Sequence, residues 1–291
     1  MANRNAPKKI GLALGGGSVK GLAHIGIIKA LEEAGIDIDF IAGTSMGAIV
    51  GGYYAATKDI NGLEKLSLEF KKNKIFSLKN MLKKDAGAFF REESVADWLE
   101  KKLGKINIEN CKIPFAAVAT NVKNGEKTIF RAGDMANALR ASSAIPLIFS
   151  PVKIGNELFI DGGMADPVPA DVVKEMGAEC VIAADVSSRW LEAPDDMANM
   201  KGIYAALAQA LSVVEYQLSK NILAKSADIV LRPPVFNYQW FQFEYAPEII
   251  KIGKEETLLR LKEIRQKAGI KKPEETFAEK FLNFILNSPE R

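Results

Sequence analysis

Apolar residues in this chain gather into short continuous runs separated by stretches of helical periodicity. The runs "IGLAL" (10–14), "FIAG" (40–43), "FAAVAT" (115–120), "LFI" (158–160), "CVIAADV" (180–186) and "IVL" (229–231) are strand candidates. Helical patterns fall between them, at 21–34, 46–57, 94–103, 134–142, 168–176 and 200–225. The stretch near 94 opens with "SVAD", a serine followed three residues later by an acid, which is a capping signal. Strands and helices that alternate in this way predict an α/β fold, a mainly parallel sheet covered by helices on both faces. Two more helical patterns, 245–268 and 274–287, close the chain. In the last, Phe277, Phe281, Phe284 and Ile285 share one stripe. Its plain expectation is a core-covering face, with a membrane surface or a dimer seam as alternatives.

Nothing in the composition divides the 291 residues, so one domain is expected over 1–291, with a helical extension from about 245 to 291. A content of 48% hydrophobic and 26% charged residues allows a sizeable core. The net charge of +3 argues against a nucleic-acid binder built on many phosphate contacts. Cys111 and Cys180 fit neither a metal spacing nor a disulfide framework, which suits a reducing, cytoplasmic setting. Glycine breaks the apolar stretch behind the basic amino terminus, so no secretory signal is expected. The longest uncharged run, residues 40–57, reaches the lower bound of a membrane span, yet its four glycines and strand-like opening suit a buried strand–turn–helix.

Candidate chemistry begins in "LALGGGSVKGLAHIG", where glycines and a serine lie between a strand and a helix. A phosphate-gripping loop needs Lys and then Ser or Thr after its last glycine; here Leu22 follows Gly21. A dinucleotide fingerprint misses by one residue whether it starts at Gly15 or at Gly16. There remain a tight turn and an oxyanion hole, a set of backbone donors for the negative oxygen of an acyl-transfer intermediate. The second motif, "GTSMG" from Gly43 to Gly47, fits G-x-S-x-G and follows an apolar strand and opens an apolar helix. A sharp turn in that setting lifts a serine, here Ser45, above the sheet, and the helix turns its positive end towards the site.

The chain has one histidine, His24, and it precedes Ser45. Counting therefore excludes the α/β-hydrolase order, in which histidine follows serine. His24 lies inside the helix after the glycine loop and reads as a packing residue. A desolvated carboxylate is the remaining candidate for the base. Asp161 in "LFIDGG" and Asp185 in "VIAADVS" both stand at carboxyl ends of strands. Gly162 and Gly163, which allow close approach, favour Asp161, although spacing does not decide between them.

Taken in order, "GGGSVKG", "GTSMG" and "DGG" resemble the patatin-like phospholipases, and "RASSAIPLIFSPV" (140–152), "DPVPA" (166–170) and "ADIVLRP" (227–233) extend the likeness. The likeness covers about residues 8–235. It implies a three-layer α/β/α patatin-like fold and a serine–aspartate dyad without histidine, Ser45 as nucleophile and Asp161 as base. It further implies oxyanion donors in Gly15, Gly16, Gly17 and Ser18, a basic residue at Lys20, supporting glycines at Gly43, Gly47, Gly162 and Gly163, and neither metal nor cofactor. Asp166 departs from an expected Asn. The implied reaction is hydrolysis of lipid carboxylic esters, of phospholipase A or lysophospholipase type, through an acyl-enzyme. A non-catalytic lipid-binding adaptor on the same fold is the alternative, and a nucleotide-binding module is disfavoured by the broken fingerprint.

Two segments bear on lipid contact. Residues 71–91 carry seven basic residues against one acid, interleaved with Ile75, Phe76, Met81, Leu82, Phe89 and Phe90. Residues 236–245, "FNYQWFQFEY", carry six aromatics around Trp240. Docking at the inner membrane face and ordinary packing are both open for each.

Overall fold

The computed structural model describes residues 7–73, 95–146, 148–187, 203–238 and 242–271. Its centre is β1 (Ile10–Leu14), buried along its whole length. Parallel to it run β2 (Phe40–Thr44) and β7 (Cys180–Ala184), followed outward by β3 (Phe115–Asn121) and β8 (Ile229–Leu231). Antiparallel β4 (Lys127–Phe130), β5 (Val152–Ile154) and β6 (Glu157–Asp161) complete the sheet. The hydrogen-bonded order is β5-β6-β3-β2-β1-β7-β8, with β4 paired to β3.

Strand alternation sorts the side chains into two layers. Leu12, Leu14, Ile41, Phe115 and Ile182 face one way. They meet α1 (Ala23–Glu33), α2 (Met46–Thr57), α3 (Ile60–Asn73), α4 (Val95–Leu103), α5 (Met135–Ser142) and α8 (Ala246–Ala268). Ala13, Ala42, Ala116, Val118 and Ala183 face the other way, where small side chains let α6 (Ala170–Glu175) and α7 (Ile203–Ser226) approach. The result is the three-layer α/β/α architecture.

Helix α8 seats against α1 through two glycines. A β-carbon on Gly26 would fall 1.8 Å from the Ile250 carbonyl oxygen, and one on Gly253 would fall 2.0 Å from that of Ala23. Substituting either residue must part the helices, at a cost of about 1–3 kcal/mol or more.

Each strand candidate in the sequence corresponds to a strand, with ends moved by a residue or two. Two strands and one helix carry no clear signal. β4 is half-buried throughout, and three-residue β5 exposes Lys153, so neither makes an apolar run. α3 is rich in charge and contains Gly62; Asp59 Oδ1 starts it by accepting from the Gly62 N–H at 2.8 Å. Most of the basic segment (74–91), Trp240 and the stripe at 277–285 lie outside the described residues. Of the neighbouring aromatics, Phe243 is buried and Tyr238 stacks at a tilt on Tyr245 with centroids 5.4 Å apart.

Candidate active site

Ser45 is the single residue between β2 and α2, with φ 54° and ψ −123°. A non-glycine residue there stores about 1–3 kcal/mol of strain that its surroundings must hold in place. Its N–H donates to Ser142 Oγ at 2.9 Å, and its carbonyl accepts from Ala48 and Ile49 at 3.0 and 3.1 Å. Beneath it, Thr44 Oγ1 donates to the Asp166 carbonyl at 2.7 Å. Both flanking glycines are sterically required. A β-carbon on Gly43 would fall 2.5 Å from Ala48, and one on Gly47 would fall 2.1 Å from the Leu14 carbonyl oxygen.

Sheet register brings Asp161 to this serine. β4 occupies one edge of β3 along Ala117–Thr120, so β2 and β6 share the other and meet end to end. Thr44 pairs with Val118 and Asp161 with Ala119, successive positions on β3. The junction is tight: a β-carbon on Gly162 would lie 2.2 Å from the Val118 carbonyl oxygen and 3.1 Å from the Thr44 methyl. The Asp161 N–H donates to Ala144 at 2.9 Å, and its carbonyl accepts from Thr120 Oγ1 at 2.8 Å. Its Oδ1 accepts from the Gly163 N–H at 2.8 Å. Oδ2 is buried without a hydrogen bond of ordinary geometry among the described residues. Burial pushes the Asp161 carboxyl up to about 6, while the Ser45 hydroxyl and the Gly163 N–H pull it back. Resting dyads are commonly loose in this way and tighten around substrate.

Asp185 takes no part in this junction. Its Oδ1 accepts from Ser187 N–H at 3.2 Å and Ser187 Oγ at 3.1 Å, and Arg232 Nε lies 3.9 Å from Oδ2. His24 is fully buried, and its Nε2 donates to the Gly15 carbonyl at 2.8 Å. Burial drives the ring down to about 4, so it is neutral and props the loop from behind.

The glycine loop passes directly over Ser45, with a Gly16 β-carbon position 3.4 Å from Ser45 Cβ. Two of the four expected oxyanion donors are already engaged. Gly15 N–H donates to the Ala184 carbonyl and Gly16 N–H to the Pro167 carbonyl, each at 3.0 Å. Gly17 N–H has no protein acceptor among the described residues. Backbone angles of φ 154° at Gly17 and φ 50° at Ser18 turn the chain there.

Lys20 is nearly buried, at 2% exposure, rather than facing outward. Burial lowers it to about 8, against the pull of Glu215. Glu215, on α7, carries no motif in the sequence. A signal did exist: it is the only charged residue from 203 to 219. Its Oε1 lies 2.7 Å from the point a Gly163 β-carbon would occupy, and Asp161 Oδ1 lies 3.1 Å from the same point. Ser142, which accepts from the Ser45 N–H, lies in "RASSAIPLIFSPV", a stretch that marks the family likeness without pointing to this residue. Asp166, the departure from the expected Asn, is buried and turns its carboxylate to Lys127 Nζ at 3.1 Å, away from the dyad.

The patatin-like phospholipase family model matches residues 12–174. Lysophospholipase NTE1 of Pyricularia oryzae is 28% identical over 304 residues, covering 97% of this chain and 20% of that protein. A patatin-like phospholipase domain-containing protein of Caenorhabditis elegans is 30% identical over 285 residues, 84% of this chain and 20% of that protein. An NTE family protein of Mycobacterium tuberculosis is 37% identical over 179 residues, 62% of this chain and 49% of that one. The chain thus spans half or less of the length of these relatives. Among solved structures, VipD from Legionella pneumophila superposes with a TM-score of 0.49 at 16% identity, over 88% of this chain and 67% of that one. No helix among the described residues is long and apolar enough to cross a membrane. No described group of three or more His, Cys, Asp or Glu is arranged to hold a metal ion.

Proposed function

From a chain that belongs to the patatin-like phospholipase family, a family of lipid carboxylic ester hydrolases, we propose an acyl hydrolase of phospholipase A or lysophospholipase type working through Ser45 and Asp161. The observation that carries this reading is the end-to-end meeting of β2 and β6 on β3, which sets the strained serine beside a buried carboxyl held near 6.

Ser45 Oγ attacks the ester carbonyl carbon while its proton passes to Asp161. The carbonyl electron pair moves to oxygen, and that oxyanion is held at the turn of the loop by the Gly17 N–H, aided by the positive end of α2. Gly15 and Gly16 contribute by shaping the loop, since their N–H groups are taken. As the tetrahedral intermediate collapses, Asp161 returns the proton to the leaving alcohol and the acyl group stays on Ser45. A water then gives its proton to Asp161 and attacks the acyl-enzyme. Ser45 leaves with that proton, and the fatty acid departs. No step calls for a metal or a cofactor.

Relatives named as lysophospholipases favour a lipid with one remaining acyl chain as substrate. Where such a substrate is drawn from a membrane, the basic, apolar segment 71–91 is suited to contact with anionic head groups. Free Cys111 and Cys180 accord with a reducing compartment. A fluorophosphonate probe should label the native chain and spare Ser45→Ala, and Asp161→Asn should lose ester turnover while remaining folded. Equal labelling of native and Ser45→Ala protein would remove the nucleophile assignment.

A further inference from the structure

Resting on Ser45 and Asp161 as the dyad, we propose that Glu215 is a positioning residue for the base: from α7 it packs a second carboxyl group against the Asp161 turn, at Gly163, and so fixes the setting in which Asp161 works. The geometry is specific. α7 packs on the turn Gly162–Met164 and on α6. Glu215 Oε1 and Asp161 Oδ1 lie 2.7 and 3.1 Å from the one point that a Gly163 side chain would fill. Only a glycine at 163 leaves both carboxyls this close to the turn, and the same residue's N–H holds Asp161 Oδ1.

The charges acting on Glu215 come from Asp161 and Lys20. The charged residues of α6 look elsewhere: Asp171 to Lys127, Lys174 to the Lys225 carbonyl, Glu175 to Arg131. Burial and the Asp161 charge push Glu215 up to about 8, with Lys20 drawing it down. The Asp161 charge opposes ionisation of Glu215, so Asp161 gives up its proton first. Once Glu215 ionises as well, a second buried anion appears beside the base and opposes the negative charge that develops on the oxyanion.

The test is the pH dependence of kcat/KM for a short-chain chromogenic ester between about pH 5 and pH 10. The native chain should show an acid limb near 6 and a falling alkaline limb near 8. Glu215→Gln, an uncharged isostere, should keep the acid limb and lose the alkaline one, with kcat at neutral pH lowered by about threefold. Lys20→Met removes the cation that draws Glu215 down, so it should move the alkaline limb upward. An alkaline limb that persists unmoved in Glu215→Gln overturns the proposal. So does one that moves to lower pH in Glu215→Gln and vanishes in Lys20→Met, since it would then belong to Lys20. Circular dichroism and thermal melting confirm that both variants fold; should Glu215→Gln fail to fold, Glu215→Asp, which keeps the charge but shortens its reach, must weaken turnover and shift the limb, and a native profile there overturns the proposal. Ser45→Ala and Asp161→Asn separate this from the dyad itself, because activity in either one removes the dyad whatever Glu215 does.

Discussion

Two trios of two acids and a lysine lie close together in this molecule, and they behave differently. In one, Lys127 ion-pairs directly with both Asp166 and Asp171. In the other, Asp161 accepts from the Gly163 N–H, while Lys20 acts on Glu215. Lys127 is 29% exposed and keeps part of its hydration; Lys20 has almost none. The first trio is a clasp that joins β4 to the start of α6. The second leaves Asp161 without an ion pair among the described residues, so that burial raises its carboxyl to about 6. Similar components give a fastener in one place and the proposed reactive site in the other; the difference is that Lys127 grips its two acids directly, whereas burial sets the Asp161 carboxyl.

Exchanging carboxyls for amides is the sharpest way to break this comparison. Asp161→Asn should cost ~10³-fold in kcat, and Ser45→Ala ~10⁴-fold, with unchanged melting transitions. Asp166→Asn should leave turnover within about twofold. An inactive, folded Asp166→Asn would erase the distinction between the trios. Next in size, Lys127→Met should destabilise the fold by about 2 kcal/mol in urea titration, because it strands two carboxylates, yet the acid limb of the pH–rate profile should stay near 6.

A smaller effect concerns stability against pH. Asp166 is raised from 3.8 to about 7 by burial and by Asp171. The folded state therefore holds a proton the unfolded chain has released, and this group's contribution to stability declines as pH rises from about 4 to about 7. Asp166→Asn removes that decline and should match or exceed native stability above pH 7, by about 1 kcal/mol, in melts compared at pH 5 and pH 8. The least change is expected at His24→Asn, whose amide can still donate to the Gly15 carbonyl. Turnover should fall less than about threefold and the melting temperature by a few degrees. A dead but folded His24→Asn would bring imidazole back into the chemistry.

The central strands were legible because burial on both faces leaves unbroken apolar runs, as "IGLAL" and "CVIAADV" show. β4 and α3 were not, since partial exposure mixes lysine, threonine and glutamate into their patterns. At the candidate site, the turns at Ser45 and Asp161 are legible because the glycines beside them answer to a steric demand that leaves a mark in sequence. The direction of an N–H group leaves none, so Gly15 and Gly16 were counted as oxyanion donors although Ala184 and Pro167 already occupy them. Glu215 reaches the dyad from a helix some fifty residues further on, and only its isolation in an uncharged stretch hinted at it.

The seam between α1 and α8 reaches further than packing. His24, whose ring steadies the Gly15 carbonyl, rides on α1, and α1 leans on a helix that begins at Ala246. The match to the family model ends at residue 174, before β7, which flanks β1, and before that supporting helix. A fragment cut there would keep Ser45 and Asp161 and lack the scaffolding around them, so the tail of the chain is part of the site's mounting, not an appendix to it.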